Sequence, residues 1–370
     1  MPGLRVLQIC LCAASMLCGV ASAASAQVVR VGAPTVRIGR DEQPGAFITA
    51  VAGAVRLPNK QIVVGNRGGE HTLLVFDEKG KFVRGLARKG KGPGEVSYLL
   101  WVLRCGNELF TGDIDGERVQ VFTSELKYTR AFRFASQTYR LACNDRAQFV
   151  HMGWESPRDM RDGVYRAPTA FWISPADSTP GVSLGMLPGS ERFGIVNNGK
   201  PVGSGPRAIG REPALAIGPT AAYVALGDSL SVRAFDFTGK LLRALTAPFT
   251  PVAATAADVD AAIERTVTEL GESTRQRTTT EFRRMPMPRT LPATRDLLVD
   301  ATGLVWVQAF PSARKTTVTW TLFRPAGEVA ARIELPAALK VYEVGRDYLL
   351  GGIADDDTGI IEVRLYPVMR

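Results

Sequence analysis

The run Arg88-Lys89-Gly90-Lys91-Gly92-Pro93-Gly94-Glu95 is the part of this chain that comes nearest to a recognisable chemical motif. Glycines at alternate positions beside three cations are what a backbone cradle for phosphate would use. A phosphate loop, however, needs Lys followed by Ser or Thr at a helix start, and neither Gly94 nor Glu95 fits. No helical pattern follows, and a dinucleotide fingerprint would also require a βαβ unit. The glycines therefore read as a tight crossing between two elements. Arg84, Arg88, Lys89 and Lys91 gather there as a basic cluster suited to an anion, although charged residues at turns are mostly solvated.

Other chemistry is thinner. The chain has 2 histidines, His71 and His151. It holds no H-E-x-x-H, no three-histidine zinc set and no G-x-S-x-G elbow. Ser204, between Gly203 and Gly205, falls in a stretch that reads as a flexible loop. Oxygen ligands for a divalent cation are available at Glu95, Asp113 and Asp228, near predicted strand ends, if the fold makes them converge. Asp113-Ile114-Asp115-Gly116 is too short for an EF-hand and reads as a turn, and Asp355-Asp356-Asp357 reads as a solvated hairpin tip. Trp101, Trp154, Trp172, Trp306 and Trp320 would serve a carbohydrate or peptide groove. Most lie in strand patterns and read as core, which leaves Trp154 as the exposed candidate.

The elements that must position these residues follow a leader. Residues 1–26 carry Arg5, an apolar run from Val6 to Val20 and a small-x-small ending, Ala24-Ser25-Ala26. That is the pattern of a secretory signal peptide cleaved before Gln27. Cys10, Cys12 and Cys18 lack the preceding small residue of a lipoprotein anchor. No later apolar stretch reaches the roughly 18 residues of a transmembrane segment. An exported protein, periplasmic or extracellular, is expected. Its remaining cysteines, Cys105 and Cys143, then sit in an oxidising compartment. A disulfide and two free buried thiols both fit, because equivalent positions in neighbouring repeats need Cα atoms within about 7 Å to bridge; the compartment tips the expectation toward the disulfide. The formal charge is +9, and loss of Arg5 leaves +8. Without a nucleic-acid motif, in an exported chain, this charge suits an anionic envelope surface rather than DNA or RNA.

One hairpin is written several times. Val75 to Val83 read VFDEKGKFV, Ala234 to Leu242 read AFDFTGKLL, Leu322 to Val329 read LFRPAGEV, and Val121 to Tyr128 give a degenerate VFTSELKY. Recurrence of one supersecondary unit marks a repeat architecture. Six four-stranded units can be laid out, beginning near Ala50, Trp101, Leu141, Pro213, Thr294 and Tyr342. The sixth lacks room for four strands, and Thr35-Val36-Arg37-Ile38 is a strand without a unit. A ring of blades closed by that N-terminal strand solves both problems and leaves no long open edge. Gly185 to Arg211 reads as a long surface loop. Thr255 to Arg284 reads as a helical insertion between blades four and five. A capping-box-like Thr255/Asp258 pair starts it, and Val259, Ile263, Val267 and Leu270 fall on one face.

The stretch Ala54 to Val64, the VFDEKGKFV hairpin and the G-x-G-P-G-E run resemble exported bacterial six-bladed β-propellers of the NHL-repeat and TolB-like kind. The similarity continues through the insertion, Leu297 to Val307 and Tyr348-Leu349-Leu350-Gly351, nearly the whole of residues 27–370, expected to be one propeller domain. It departs at Gly65, where such strands often carry Asp. The resemblance implies an all-β fold and little chemistry. The expected function is a non-catalytic module that binds a ligand or an envelope protein, with no cofactor and as a monomer. The alternative is a lactonase- or esterase-type hydrolase with a divalent cation such as calcium in the central channel. Residues expected at one channel mouth, as anion-pairing or hydrogen-bonding contacts, are Arg67, Arg88, Lys91, Glu95 and Arg211.

Overall fold

Apolar runs such as Ile62-Val63-Val64 and Leu73-Leu74-Val75-Phe76 alternate sides along a strand, so a sheet built from them must bury both faces. The computed structural model shows how. It describes residues 29–39, 43–48, 50–114, 118–135, 138–154, 159–354 and 361–370. The leader and the Asp355–Asp357 tip lie outside these residues.

Two short strands come first, β1 (Arg30–Val31) and β2 (Val36–Ile38). Blade one is β3 (Val51–Arg56), β4 (Ile62–Asn66), β5 (His71–Phe76) and β6 (Phe82–Arg88). Blade two is β7 (Leu99–Cys105), β8 (Glu108–Asp113), β9 (Arg118–Phe122) and β10 (Tyr128–Phe132). Blade three is β11 (Thr138–Cys143), β12 (Gln148–Gly153), β13 (Gly163–Pro175), β14 (Val182–Asn197) and a fifth strand, β15 (Lys200–Pro206). Blade four is β16 (Ala214–Ile217), β17 (Ala222–Ala225), β18 (Ser231–Phe235) and β19 (Leu241–Thr246). Helices α1 (Ala256–Leu270) and α2 (Arg275–Arg284) follow. Blade five is β20 (Thr294–Val299), β21 (Val305–Ala309), β22 (Thr317–Phe323) and β23 (Val329–Pro336). Blade six is β24 (Lys340–Val344), β25 (Tyr348–Ala354) and β26 (Ile361–Met369).

All pairings within the blades are antiparallel, and the first strands of successive blades touch in a ring, β3-β7-β11-β16-β20-β24 and back to β3. The chain is a six-bladed β-propeller. Both β1 and β2 lie along the outer edge of β26, with Val36 opposite Leu365 and Val31 opposite Val368, so the N-terminal segment supplies the strand that blade six lacks. The core is six wedges, one at each blade–blade interface. Ile62, Val64, Leu74 and Phe76 face blade six, while Val63, Leu73 and Val75 face blade two. That division explains why the strands read as unbroken apolar runs. Trp306 and Trp320 are fully buried between blades five and six, in edge-to-face contact at 6.2 Å. A side chain at Gly65 would put its Cβ 2.9 Å from Leu99 Cδ2 and 3.1 Å from Val102 Cγ1, so an Asp there would push these side chains of the first strand of blade two aside.

The recurring hairpin is the outer pair of each blade. Asp77 accepts the N–H groups of Lys79 and Lys81, and Asp236 those of Thr238 and Lys240, each closing the turn before a glycine at positive φ. In the degenerate copy Thr123 Oγ1 takes the Asp role and Leu126 adopts φ 65° in place of Gly. The sequence drifted; the turn geometry did not.

Two expectations are corrected. Gly185 to Arg211 is not a loop: β14 and β15 extend blade three, and Ser204 is bonded to Tyr165 Oη (2.7 Å) and Arg192 Nε (2.9 Å). Gly and Pro are tolerated here because the strands stand at a sheet edge. The insertion is helical as expected, in two helices broken at Gly271 (φ 101°), but Leu270, expected on the apolar face, is 53 % exposed at the end of α1. Ala262, Ile263 and Val267 do face inward, against Phe282, Ile209 and Leu291.

Asp258 anchors the insertion. It accepts Thr255 N (2.8 Å) and Oγ1 (2.7 Å), and reaches across to Ala313 N (2.8 Å) and Ser312 Oγ (3.3 Å) after β21. Burial opposes ionisation of this carboxyl, but the bonds outweigh it and hold its pKa below the usual value. Asp258→Ala should cost about 2–3 kcal/mol, the range for losing hydrogen bonds to a buried charge. It should also raise amide exchange in α1 before the blades; uniform exchange across α1 and β20 would contradict this.

Candidate functional site

The first strands of all six blades end together around one mouth of the channel, where Val55, Arg104, Cys143, Ile217, Val299 and Val344 meet. Their starts, the blade-to-blade crossings and the turns between second and third strands gather at the other, upper mouth. Arg67, Arg88, Lys91, Glu95 and Arg211 all belong to this upper face, and the structure separates them by role.

The glycine-rich crossing is closed on itself. The Gly92 N–H binds Glu95 Oε2 (2.9 Å), the Gly94 N–H binds Gln120 Oε1 (2.9 Å) and the Gly90 N–H reaches Val96 O (3.4 Å). The anion at the Gly92 amide is the chain's own Glu95, and the Gly90 and Gly94 amides go to neutral oxygens. Cβ atoms at Gly90 and Gly92 would fall 2.1 and 2.9 Å from that carboxylate, and Gly94 holds φ 76°, so all three glycines are required. Arg118 grips the crossing from blade two through Lys91 O (2.8 Å), Gly92 O (3.2 Å) and Glu95 O (2.9 Å). Asp113 accepts the N–H groups of Ser97 (3.1 Å) and Tyr98 (3.0 Å) and pairs with Arg118 (3.5 Å).

Arg67 donates to Leu99 O and Leu100 O, fixing the start of blade two. Arg211 pairs with Glu191 (2.9 Å) and Asp228 (3.1 Å); Glu191 also binds Arg207, and Asp228 also binds Arg166 (2.9 Å). Arg88 and Lys91 differ: both are exposed, with Arg88 3.8 Å from an equally exposed Glu70. Glu95 and Asp113 both hold the crossing into blade two, whereas Asp228 pairs with Arg166 and Arg211. Among the described residues, no three His, Cys, Asp or Glu side chains are grouped to hold a metal.

Beside the basic crossing lies a feature that spacing did not reveal. A cleft of about 430 Å³ opens between blades two and three, lined by Trp101, Ile114, Arg133, Phe134 and Trp154 among others. Trp101 stands opposite Gly112, whose missing side chain makes room for the indole: a Cβ there would fall 2.4 Å from the ring. Trp154 is 59 % exposed and Ile114 46 %, both on the cleft; the Ile114 N–H bonds the O of Tyr98, itself 41 % exposed, and Arg118 of the same cleft holds the crossing through Lys91 O. Behind them His151 is stacked between Phe134 (4.9 Å) and Trp172 (5.4 Å) and bonded to Thr138 Oγ1 and Ser174 Oγ. Burial lowers its pKa to about 4, which makes it a neutral packing residue at ordinary pH. The sequence signal for the cleft was the Trp101/Gly112 pair, legible only once the strand register is known.

Known proteins agree on the architecture. A family profile described as a 6-bladed β-propeller matches residues 46–146, the first two blades and the start of the next. No curated protein matches. A member of the DUF4221 family from Bacteroides vulgatus aligns at TM-score 0.52 with 10 % identity over 92 % of this chain and 99 % of its own. A protein of Bacteroides fragilis described as exported aligns at TM-score 0.48 with 11 % identity, covering 93 % and 96 % of the two chains. A gluconolactonase from Xanthomonas campestris aligns at TM-score 0.46 with 12 % identity, covering 92 % and 99 %. At such identities the likeness is one of fold. No helix among the described residues is long and apolar enough to cross a membrane.

Proposed function

We propose that this protein is an exported, non-catalytic propeller of the NHL-repeat and TolB-like kind that binds an acidic segment of another envelope protein on its upper face. The observation that carries the reading is the exposed Ile114 and Trp154 on a cleft whose Arg118 holds the crossing that bears the exposed Arg88, Lys89 and Lys91. Exposed aromatic and aliphatic groups near a mainly cationic cluster, in which Glu70 is the acid beside Arg88, suit a partner that offers apolar anchors between carboxylates. Two functions of the surface are separable. The crossing's backbone and Glu95 are scaffold, whereas Arg88, Lys91 and Trp154 are exposed.

A labelled peptide alternating Glu with Leu supplies the test. Wild-type protein should bind it with an affinity that falls as salt rises. The pair Arg88→Gln with Lys91→Gln should weaken binding by about fivefold or more and flatten the salt dependence, as expected for two lost charge contacts. Trp154→Ala should weaken binding with the salt slope unchanged. Unaltered affinity and slope in the double variant would remove the proposal.

A further inference from the structure

Near its upper end the first strand of blades one, two, three and five carries one extra residue. The register steps between Val51 and Gly53, Leu99 and Trp101, Thr138 and Arg140, and Thr294 and Asp296. A bulge of this kind re-aims the side chains beside it. The residue after each bulge faces a partner on the second strand: Gly53 with Gly65, Trp101 with Gly112, Arg140 with Met152, Asp296 with Gln308. Of these four pairs only the last combines two hydrogen-bonding side chains. One scaffold position has been given chemistry in one blade.

Asp296 and Gln308 line a cavity of about 240 Å³ on the upper side of blades five and six, roofed by Glu264, Arg265 and Thr268 of α1 and bordered by Arg295 and Lys340. Gln308 is only 5 % exposed, and no hydrogen bond from the described residues reaches its amide. With no partner among those residues, this amide is left open to whatever fills the cavity. Asp296 Oδ1 accepts only the N–H of its neighbour Leu297 (2.8 Å), and Oδ2 has no partner among the described residues. Arg295 lies with its guanidinium 5.8 Å from the Phe310 ring and has no carboxylate partner among those residues. The acid on the helix above, Glu264, is taken by Arg275 at 2.6 Å. The pocket therefore holds the guanidinium of Arg295 with no carboxylate hydrogen-bonded to it, an amide without a protein partner and a half-used carboxyl, walled by Val51, Leu339 and Ile361.

We propose that this cavity binds a small hydroxylated carboxylate, with Arg295 on the carboxylate and Asp296 and Gln308 on the hydroxyls. A guanidinium matches a carboxylate in two parallel bonds. An amide offers a donor and an acceptor, the pair that a diol needs. Its size lies at the small end of ligand pockets, which run from about 300 Å³ upward, so the ligand is a monosaccharide-sized molecule rather than a polymer. Burial raises the Asp296 pKa, against the pull of the Leu297 N–H and the charges of Arg295, Lys340 and Arg140. A carboxyl so placed gains from a hydroxyl partner. The site is independent of the crossing into blade two and stands or falls separately.

Calorimetric titration of the full chain with galacturonate, tartrate and galactose tests it. At least one acid should saturate with Kd below about 1 mM. If galacturonate binds, galactose, which lacks only the carboxylate, should bind at least about tenfold more weakly. Gln308→Leu and Arg295→Gln should each weaken the acid by about tenfold or more, while Lys91→Gln on the crossing leaves it unchanged. Should Gln308→Leu fold poorly, Arg295→Gln keeps the test, because that side chain is half-buried and unpaired. No saturation by either acid, equal affinity for galacturonate and galactose, or full affinity in both pocket variants would mean a water-filled cavity only and overturn the proposal.

Discussion

Replacing Cys105 and Cys143 by serine should lower the unfolding free energy by about 4 kcal/mol, the chain-entropy value for a loop of this length. Cys105 ends the first strand of blade two and Cys143 that of blade three; the two are bonded with Cα atoms 5.7 Å apart and 38 residues between them in sequence. Equivalent positions on neighbouring first strands can bridge because first strands stand closest to the axis, where adjacent blades converge. Cross-linking them removes conformations from the unfolded chain that a 38-residue loop would otherwise explore. The bond also pins a wedge packed largely from aromatic rings, Phe110, Phe132 and Phe149 with Phe134 against them. Urea unfolding followed by tryptophan fluorescence, with and without reductant, measures the loss. Reduced wild type should match the serine variant. Equal midpoints for oxidised and reduced protein would show that ring packing alone holds blades two and three.

Glu191→Ala should cost about 3–5 kcal/mol, the range for breaking a buried ion pair and leaving its partner charged. Glu191 is 4 % exposed on β14 and accepts from Arg207, from Arg211 Nη1 (2.9 Å) and from the Arg211 N–H (3.2 Å). Arg207 is itself 9 % exposed and would keep its charge with no acid beside it. Glu191→Gln should recover part of the loss, since an amide oxygen can still accept. The pH dependence has a fixed sign. Burial would raise the Glu191 pKa, but the bonds from Arg211 and Arg207 outweigh it and leave the folded value below the ordinary 4.5. A depressed carboxylate contributes stability above its unfolded pKa, and that contribution is lost as pH falls through the folded value. Wild type should therefore lose stability on acidification below about pH 4.5 more steeply than Glu191→Gln. Parallel acid curves for the two proteins would deny Glu191 this role.

Both effects concern residues that sequence reading placed only in part. Cys105 and Cys143 were visible as a pair, but their distance depends on how near neighbouring blades approach at the axis. Arg211 was visible as a cation before blade four; its acids, Glu191 and Asp228, come from 20 residues earlier and from the next turn, and only the extension of blade three by β14 brings Glu191 beneath it. In sequence that extension reads as a loop because Gly and Pro usually break strands, a rule that fails at an exposed edge. Asp296 and Gln308 carried no local signal at all. Each is an ordinary polar residue in a strand, and their meaning comes from standing opposite one another where other blades carry glycine, tryptophan or methionine.

By itself the sequence determined the repeat. Strand alternation, the Asp-x-x-Gly turn and the short sixth unit are local or periodic features, and they suffice for six blades, a ring closed by Val36–Ile38 and a helical insertion between blades four and five. Tertiary structure alone decided which charges are spent. Arg67, Glu95 and Arg211 are consumed in holding loops, Arg88 and Lys91 face outward, and Arg295, Asp296 and Gln308 turn toward a roofed cavity. The physical reason is range. A turn is fixed by a few neighbouring residues, whereas whether a charge is paired depends on groups that ring closure brings together from blades far apart in the chain.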